Sequence, residues 1–250
     1  HVLVARDRGV DLKVVVGLTT LPGLTLVVHS DRLGAVTHPA DLRGLRIGIT
    51  SPGSATDQLL TLILKRSGLS RADVEIVPIG SDGMPDALAS GDVDAAMALD
   101  PWTDEVLDSG LAFVLVDLTT EADTSDWLGV PYAFVGALTS QQTIVERPEI
   151  VQRVVNTLVH TCAVLNHSNP AAVTALLPRE VVGDDASAYA ASVGHYWAAL
   201  SKDCKVSVEG VSNFLTAQAE SGAIPGASEA DPSSLFDMTF VNRVHVNLRG

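Results

Sequence analysis

The sequence predicts an α/β fold made of parallel βαβ units and divided between two lobes. In the middle of the chain, short apolar runs alternate with helical segments, which is the order of a parallel sheet with right-handed crossovers. From Arg147 onward the pattern becomes mainly helical. A chain of 250 residues is also long for one compact core and sufficient for two smaller ones.

The chain opens with the end of a helix and two strands. The first eight residues are typical of the last turns of a helix, with Gly9 as its left-handed cap. Because the sequence starts with His1 inside this helix, we expect that further chain preceded it. Leu12–Gly17 (LKVVVG) has the continuous apolar character of a strand buried on both faces, and Leu24–Val28 (LTLVV) predicts a second strand.

The next segment supplies the alternating strands and helices. Apolar residues at core spacing predict a helix over Asp57–Ser67, which Gly68 ends. A shorter helix over Pro85–Ser90 is capped by Gly91. The predicted strands are Leu45–Thr50, Val74–Ile79, Asp94–Leu99, Val114–Leu118 and Tyr132–Leu138.

The remainder of the chain predicts mainly helices. Pro148 lies in the first turn of a long amphipathic helix that extends from Arg147 to His167. The last stretch, Asp231–Arg243, predicts a loop followed by a short terminal element. The other predicted helices are Pro170–Leu177, Ala186–Leu200 and Ser207–Ser221.

Composition restricts the class of protein. Hydrophobic residues make up 46% of the chain and charged residues 18%, which fits a globular α/β protein. The formal net charge of −14 comes without any basic block, so the chain would repel a phosphate backbone and we expect no nucleic-acid partner. No apolar run approaches the roughly 20 residues needed to cross a bilayer.

The two cysteines and seven histidines give no metal or cofactor signature. Cys162 and Cys204 have no CxxC or Cys/His spacing, and Cys162 shares a helical face with apolar residues, as a buried cysteine does. A disulfide between them is left open, because sequence does not decide it. No HxxxH, HxH, GxSxG or P-loop pattern occurs, so we expect neither a metal nor a cofactor.

The strongest candidate binding segment is Ser51–Asp57, where a predicted strand ends and a helix begins at once. The first N–H groups of a helix have no intrahelical partner and carry partial positive charge, so they suit an oxyanion. Ser54 and Thr56 can add hydroxyl hydrogen bonds, and Ser51 and Asp57 complete the candidate set. The alternative is ordinary helix capping, which needs no ligand.

Further candidates also follow predicted strands, where the ligands of open α/β sheets bind. Asp100 follows the strand Asp94–Leu99 and could hold an amine or hydroxyl, with Trp102 as an apolar wall. The alternative is that Asp100 caps a helix whose first residue is Pro101. The other candidates are Thr19 and Thr20, for which turn formation is the alternative, and Tyr132 and Trp127, for which hinge packing is the alternative.

Six segments along nearly the whole chain match the motifs of a known family in order and spacing. They are Asp41–Ser54 (DLRGLRIGITSPGS), Val74–Gly80 (VEIVPIG), Ala87–Ala96 (ALASGDVDAA), Leu99–Thr103 (LDPWT), Pro131–Val135 (PYAFV) and Arg147–Val151 (RPEIV). Each motif is weak alone, but together they resemble the nitrate/sulfonate/taurine group of ABC-transporter periplasmic substrate-binding proteins. One departure is that family members carry additional βα units and a secretion signal ahead of the segment that matches His1.

The resemblance implies a two-lobed, periplasmic-binding-protein-like (type II) α/β fold with mostly parallel sheets and a hinge of crossing strands. In that division, residues 1–36 are the remaining part of lobe 1 and residues 37–131 are lobe 2. Residues 132–250 are the return crossing and the helical remainder of lobe 1. The implied function is non-catalytic capture of a small-molecule ligand for the membrane permease of an ABC importer. We expect a monomer that is periplasmic or lipid-anchored at the cell surface.

The residues narrow the solute within the sulfonate, nitrate, amine or heteroaromatic classes. No Arg or Lys lies at the candidate strand ends, so a bare anion would depend on helix N–H groups and hydroxyls. Asp57 and Asp100 would repel such an anion if they face the cleft. We therefore expect a zwitterionic, amine-bearing or neutral heteroaromatic solute rather than nitrate or sulfate.

Two other functions on this fold are left open. Pyrimidine synthases of thiamine biosynthesis resemble the same family but carry a Cys-rich iron-binding motif that this sequence lacks. Enzymes of the alternative menaquinone pathway share the architecture as well. A ligand-sensing effector domain is the other alternative, although the negative charge and the Leu99–Thr103 loop argue against it.

Overall fold

The computed structural model describes residues 1–224 and 226–244, which divide into two compact units. Unit 1 comprises residues 1–22, 128–219 and the described residues from 224 onward, and unit 2 comprises residues 23–127 and 220–223. The strands are β1 Leu12–Gly17, β2 Leu24–His29, β3 Arg46–Ile49, β4 Glu75–Pro78, β5 Ala95–Leu99, β6 Ala112–Asp117 and β7 Gly136–Ser140.

Short and long helices connect these strands. The α-helices are α1 Val2–Asp7, α2 Ala55–Arg66, α3 Met84–Ala89, α4 Trp102–Asp108, α5 Glu121–Leu128, α6 Gln141–Glu146, α7 Pro148–Asn166, α8 Pro170–Thr174, α9 Arg179–Val182, α10 Ala186–Tyr196, α11 Val208–Ser221 and α12 Thr239–Asn242. Within the described residues, none of these helices has the length and apolar character needed to cross a membrane.

Unit 2 is built on a five-stranded mixed sheet in the order β4-β3-β5-β2-β6. Strand β3 pairs in parallel with β4 and β5, while β2 is antiparallel to both β5 and β6. Four strands therefore share one direction, in agreement with the predicted α/β class. Leu26, Val27 and Val28 of β2 are fully buried, as expected for a central strand that is covered on both faces.

The position of β2 differs from the predicted lobe boundary. The sequence predicts residues 1–36 in lobe 1, whereas the chain enters unit 2 at Gly23 and leaves it after Trp127. Strand β2 lies between two strands from later in the chain, and Leu26 is aligned with both Met97 and Val116. An antiparallel strand inserted in this way has no local sequence signal, which explains the difference.

The C-terminal end of α2 binds both segments through which the chain passes between the units. Lys65 Nζ donates to the Glu220 carbonyl oxygen at 2.6 Å. The Arg66 guanidinium donates to the Glu220 carboxylate, with Nε 2.9 Å from Oε1, and to the carbonyl oxygen of Trp127. Trp127 and Glu220 are the unit 2 residues next to these crossings, so α2 holds both of them in place.

Unit 1 is mainly helical and contains the two-stranded antiparallel sheet β1–β7. Helix α7 packs against β1 with most of the apolar face that the sequence predicts, although Val154 of that face is exposed, and α12 closes the same cluster. This cluster consists of Val15, Val16, Val151, Val155, Val159, Cys162, Cys204, Phe240 and Val241. The burial predicted for Cys162 is therefore confirmed.

Two strand predictions in unit 1 are wrong in part. The predicted strand Tyr132–Leu138 begins only at Gly136, because the N–H groups of the preceding residues donate elsewhere: that of Tyr132 to Thr20 O at 2.8 Å and that of Val135 to Thr19 Oγ1 at 3.0 Å. Strand β1 is also not buried along its whole length, since its first three residues are half-buried and it pairs antiparallel with β7.

The long helices were easier to predict than the short ones. Helices α2, α7 and α11 lie within a few residues of their predicted bounds, and Gly9 and Gly68 have the positive φ of the predicted caps. The sequence does not predict α5, α6 and α9, and it predicts α4 only as the capping alternative for Asp100. They have only four to eight residues, too few for a repeated apolar spacing to be seen.

Candidate functional site

The predicted site residues fall into two groups, one in each unit. Unit 2 contains Ser51, Ser54, Thr56, Asp57, Asp100, Trp102 and Trp127, and unit 1 contains Thr19, Thr20 and Tyr132.

In unit 2, two predicted segments leave the same edge of the sheet. Strands β3 and β5 are adjacent and parallel, with Gly48 aligned with Ala96. The segment Ser51–Asp57 follows β3, and the segment Asp100–Thr103 follows β5. Because parallel strands end at a common carboxyl edge and lie about 4.8 Å apart, these two segments start side by side.

The N-terminus of α2 carries a network of hydroxyl groups. Ser54 is the N-cap residue, and its Oγ accepts a hydrogen bond from the Asp57 N–H at 3.3 Å, so the capping alternative is confirmed for this residue. Thr56 Oγ1 lies 2.7 Å from Ser54 Oγ and accepts from the Thr50 N–H at 3.0 Å. The N–H groups of Ala55 and Thr56 lie in the first turn, where a helix offers no acceptor. Capping therefore leaves two donors of this turn for an oxyanion.

Asp57 is buried, and its charge is compensated inside unit 2. Its Oδ2 accepts from the Gly53 N–H at 2.8 Å, while Oδ1 pairs with the guanidinium of Arg71. The same guanidinium donates to Thr61 Oγ1 at 2.7 Å. The expectation that Asp57 repels an anion is therefore wrong, because a carboxylate paired with a guanidinium has little net field. The sequence gives no signal for Arg71, which lies 14 residues further along the chain.

Two remaining polar residues of this turn differ in exposure. Ser51 is exposed, and its carbonyl oxygen accepts from the Ser54 N–H at 3.1 Å. Thr56 is buried and its hydroxyl is shared between Ser54 and Thr50. Ser51 can therefore turn towards a solute freely, whereas Thr56 contributes mainly by orienting the Ser54 hydroxyl.

At the end of β5, the segment Asp100–Thr103 brings together an acid, an indole and a hydroxyl. Helix α4 begins at Trp102 with Pro101 as its N-cap residue, one residue later than in the capping alternative for Asp100. Asp100 and Trp102 are half-buried. The Thr103 hydroxyl is buried and has no hydrogen-bond partner among the described residues. Burying a hydroxyl without a hydrogen bond destabilises the folded state, and a ligand that bonds to it would remove that cost. Thr103 is therefore a further candidate binding residue.

The unit 1 candidates are partly engaged by their own unit. Thr19 is buried and its hydroxyl accepts from the Val135 N–H. Tyr132 is fully buried, and its ring lies 6.0 Å from that of Phe214 in an edge-on arrangement. These contacts favour the packing alternative for Tyr132. Thr20 is half-buried at the end of β1 and is the most accessible of the three.

Comparisons with known proteins agree with this architecture. Residues 4–177 match the NMT1-like family, which is well over half of the chain. The chain belongs to the NMT1-like family. A Brucella abortus (strain 2308) protein, named as a candidate binding protein, is 28% identical over 142 residues, which are 56% of this chain and 43% of that protein. The match thus spans less than half the length of this curated relative.

Solved structures share the fold of the NMT1-like chain. A protein of Bordetella bronchiseptica RB50 is 26% identical with a TM-score of 0.86, covering 97% of this chain and 77% of its own. The alkanesulfonate-binding protein SsuA of Xanthomonas axonopodis pv. citri, solved with MOPS, is 22% identical with a TM-score of 0.69, covering 95% and 77%. The periplasmic nitrate-binding protein NrtA of Synechocystis PCC 6803 has a TM-score of 0.70 at 13% identity, covering 97% and 66%. The predicted periplasmic-binding-protein fold is confirmed.

The fold alone does not separate binding from catalysis. The desulfurization enzyme DSZB is also similar, at 23% identity and a TM-score of 0.59, covering 92% of this chain and 78% of its own. Because one fold serves several activities, function has to be argued from the site residues.

Proposed function

We propose that this chain is the ligand-binding part of an extracytoplasmic solute-binding protein that delivers a small solute to the permease of an ABC importer. The proposal depends on one observation. The segment that leads into α2 and the segment Asp100–Thr103 follow adjacent parallel strands at one edge of the sheet in unit 2. The names of SsuA and NrtA, which share the fold, support the transport role. We further propose a monomer that is periplasmic or lipid-anchored.

The preferred ligand is a small zwitterionic sulfonate. The N–H groups of Ala55 and Thr56 and the hydroxyls of Ser51 and Ser54 suit the sulfonate oxygens. Asp100, on the neighbouring strand, suits an amine, and Trp102 offers an apolar wall for the carbon chain. Since Arg71 compensates Asp57, Asp100 is the acid that favours an amine-bearing solute over nitrate. The binding of MOPS by the Xanthomonas SsuA fits this choice, because MOPS joins a sulfonate to an amine.

The proposal is tested by calorimetric titration of the chain with taurine, MOPS and nitrate at one ionic strength. We expect a saturable heat with taurine or MOPS and at least tenfold weaker binding of nitrate, since nitrate leaves the amine partner of Asp100 unused. Tight binding of nitrate alone would contradict the zwitterion preference. No saturable heat with taurine, MOPS or nitrate would contradict the capture of a sulfonate or nitrate.

Two matched pairs of variants locate the site. Ser54→Ala and Ser140→Ala each remove an N-cap hydroxyl, of α2 and α6 respectively, and should each lower stability by about 1 kcal/mol. Only Ser54→Ala should also weaken the binding of the sulfonate, by roughly tenfold. Likewise Asp100→Asn should weaken the binding of taurine. Asp108→Asn, an exposed change on α4, should leave that binding unchanged. Equal effects within either pair would place the ligand elsewhere.

Absence of turnover is the remaining part of the proposal. After prolonged incubation, we expect each bound solute to be recovered unchanged by mass spectrometry. Release of sulfite from biphenyl-2-sulfinic acid would instead favour an enzyme similar to DSZB, whose structure is solved with that compound.

A further inference from the structure

The two cysteines of unit 1 lie together in its core. Cys162 is on α7 and Cys204 precedes α11, and both belong to the apolar cluster around Val16 and Val155. Both are buried free thiols, and each is the largest single influence on the pKa of the other. Two cysteines far apart in sequence therefore lie in one packed cluster that the solute proposal does not use.

The backbone at Cys204 is unusual in a second, independent way. Cys204 has a φ of +58°, the one positive φ outside glycine among the described residues. A side chain in this conformation costs about 1 kcal/mol or more, so it persists where surrounding contacts fix the backbone. One such contact is the hydrogen bond from the Gly17 N–H to the Cys204 carbonyl oxygen at 2.9 Å. The loop that contains Cys204 is thereby held against Gly17, the last residue of β1.

The two thiols differ in acidity. The hydrogen bond with Cys204 lowers the pKa of the Cys162 thiol. The same bond, together with burial, raises the pKa of the Cys204 thiol. Cys162 is consequently the better nucleophile of the pair, since thiol–disulfide exchange proceeds through the thiolate.

We propose that Cys162 and Cys204 are an oxidative modification site, forming an intramolecular disulfide that joins α7 to the loop before α11. The oxidant is a small disulfide such as oxidised glutathione. The Cys162 thiolate attacks one of its sulfurs, which forms a mixed disulfide and releases one thiolate. Cys204 then loses its proton and attacks the Cys162 sulfur, releasing the second thiolate. Two protein thiols are oxidised, one external disulfide is reduced, and the two protons pass to the released thiolates.

The disulfide would close a loop of about 40 residues that contains the end of α7, α8, α9 and α10. Closing a loop of this length restricts the unfolded chain and therefore favours the folded state. The inference is independent of the solute, and the chemistry can be tested on the isolated chain.

The test equilibrates the full chain in a series of oxidised and reduced glutathione ratios, starting once from native protein and once from protein unfolded in urea. Samples are alkylated in denaturant, and intact mass and peptide masses are measured. We expect a species lighter by two hydrogens, with the Cys162 and Cys204 peptides linked. Its thermal midpoint should exceed that of the reduced chain by roughly 10 °C.

The single variants Cys162→Ser and Cys204→Ser are the controls. For each protein, the thermal midpoint in oxidising buffer is compared with the midpoint of the same protein in reducing buffer. A lower stability of either variant therefore does not affect the comparison. We expect this difference to vanish in both variants. Full alkylation of both cysteines from both starting states, or glutathione adducts without a linked peptide, would overturn the proposal.

Discussion

The two units place their polar candidates by different means. In unit 2, the segments Ser51–Asp57 and Asp100–Thr103 follow adjacent parallel strands of a five-stranded sheet. In unit 1, Thr19, Thr20 and Tyr132 lie beside a sheet of only two strands, and their hydrogen bonds join that sheet to neighbouring loops. The wide sheet therefore brings candidates from two separate segments to one edge, whereas the narrow sheet uses Thr19 to bind the chain that leads into its own second strand.

Within unit 2, loss of side-chain volume should matter at the centre of the sheet and not at its exposed edge. Leu26→Ala removes a fully buried side chain at the centre of the unit 2 sheet and should cost about 2–5 kcal/mol of unfolding free energy. Urea denaturation followed by tryptophan fluorescence measures it, since Trp102 and Trp127 lie in unit 2 and Trp197 in unit 1. The exposed change Val114→Ala on β6 should stay within about 0.5 kcal/mol. Equal losses in both variants would contradict the sheet-centred core.

Unit 2 also contains a charge pair between neighbouring strands, formed by Asp94 directly before β5 and Arg46 of β3. Burial opposes ionisation of Asp94, but hydrogen bonds from the Arg46 N–H, the Arg32 guanidinium and the Arg46 guanidinium lower its pKa from 3.8 to about 2. Asp94→Asn should therefore cost about 2 kcal/mol at pH 6.

The pH dependence gives the same prediction a second measurement. Because the folded pKa of Asp94 lies below its ordinary value, the stabilisation is complete above about pH 4 and is lost as the pH falls towards 2. The gap between the urea midpoints of wild type and Asp94→Asn should shrink over that range. Asp108→Asn serves as the control. A gap that is constant with pH would show that the loss is not electrostatic.

Glycines in the two sheets offer the smallest expected effect. A Cβ at Gly136 of β7 would lie 2.7 Å from the Val16 carbonyl oxygen, a backbone atom that cannot move aside. A Cβ at Gly48 of β3 would meet the end of the Ile79 side chain at 2.4 Å, which can rotate away. Gly136→Ala should cost roughly 1–2 kcal/mol and Gly48→Ala less than about 1 kcal/mol, measured by urea denaturation. The reverse order would show that the two-stranded sheet adapts more easily than the wide one.

The sequence predicts most of unit 2 because its signals are local. The strand before α2, the helix predicted from Asp57 and its end at Gly68 each have a signal within a few residues, and the helix itself starts two residues earlier, at Ala55. The features that were missed depend on distant partners. The insertion of β2 between β5 and β6, the pairing of Arg71 with Asp57, and the unpartnered Thr103 hydroxyl arise only when the chain has folded.

Helix α2 ends this comparison with a mechanical consequence. A helix of 12 residues is a stiff rod about 18 Å long. Its first turn carries the proposed oxyanion donors, and its last turn contacts Trp127 and Glu220 through Arg66. Because the helix is stiff, a solute that orders the first turn should also restrict the last turn. Slowed amide exchange at Lys65 and Arg66 on adding taurine would show this coupling.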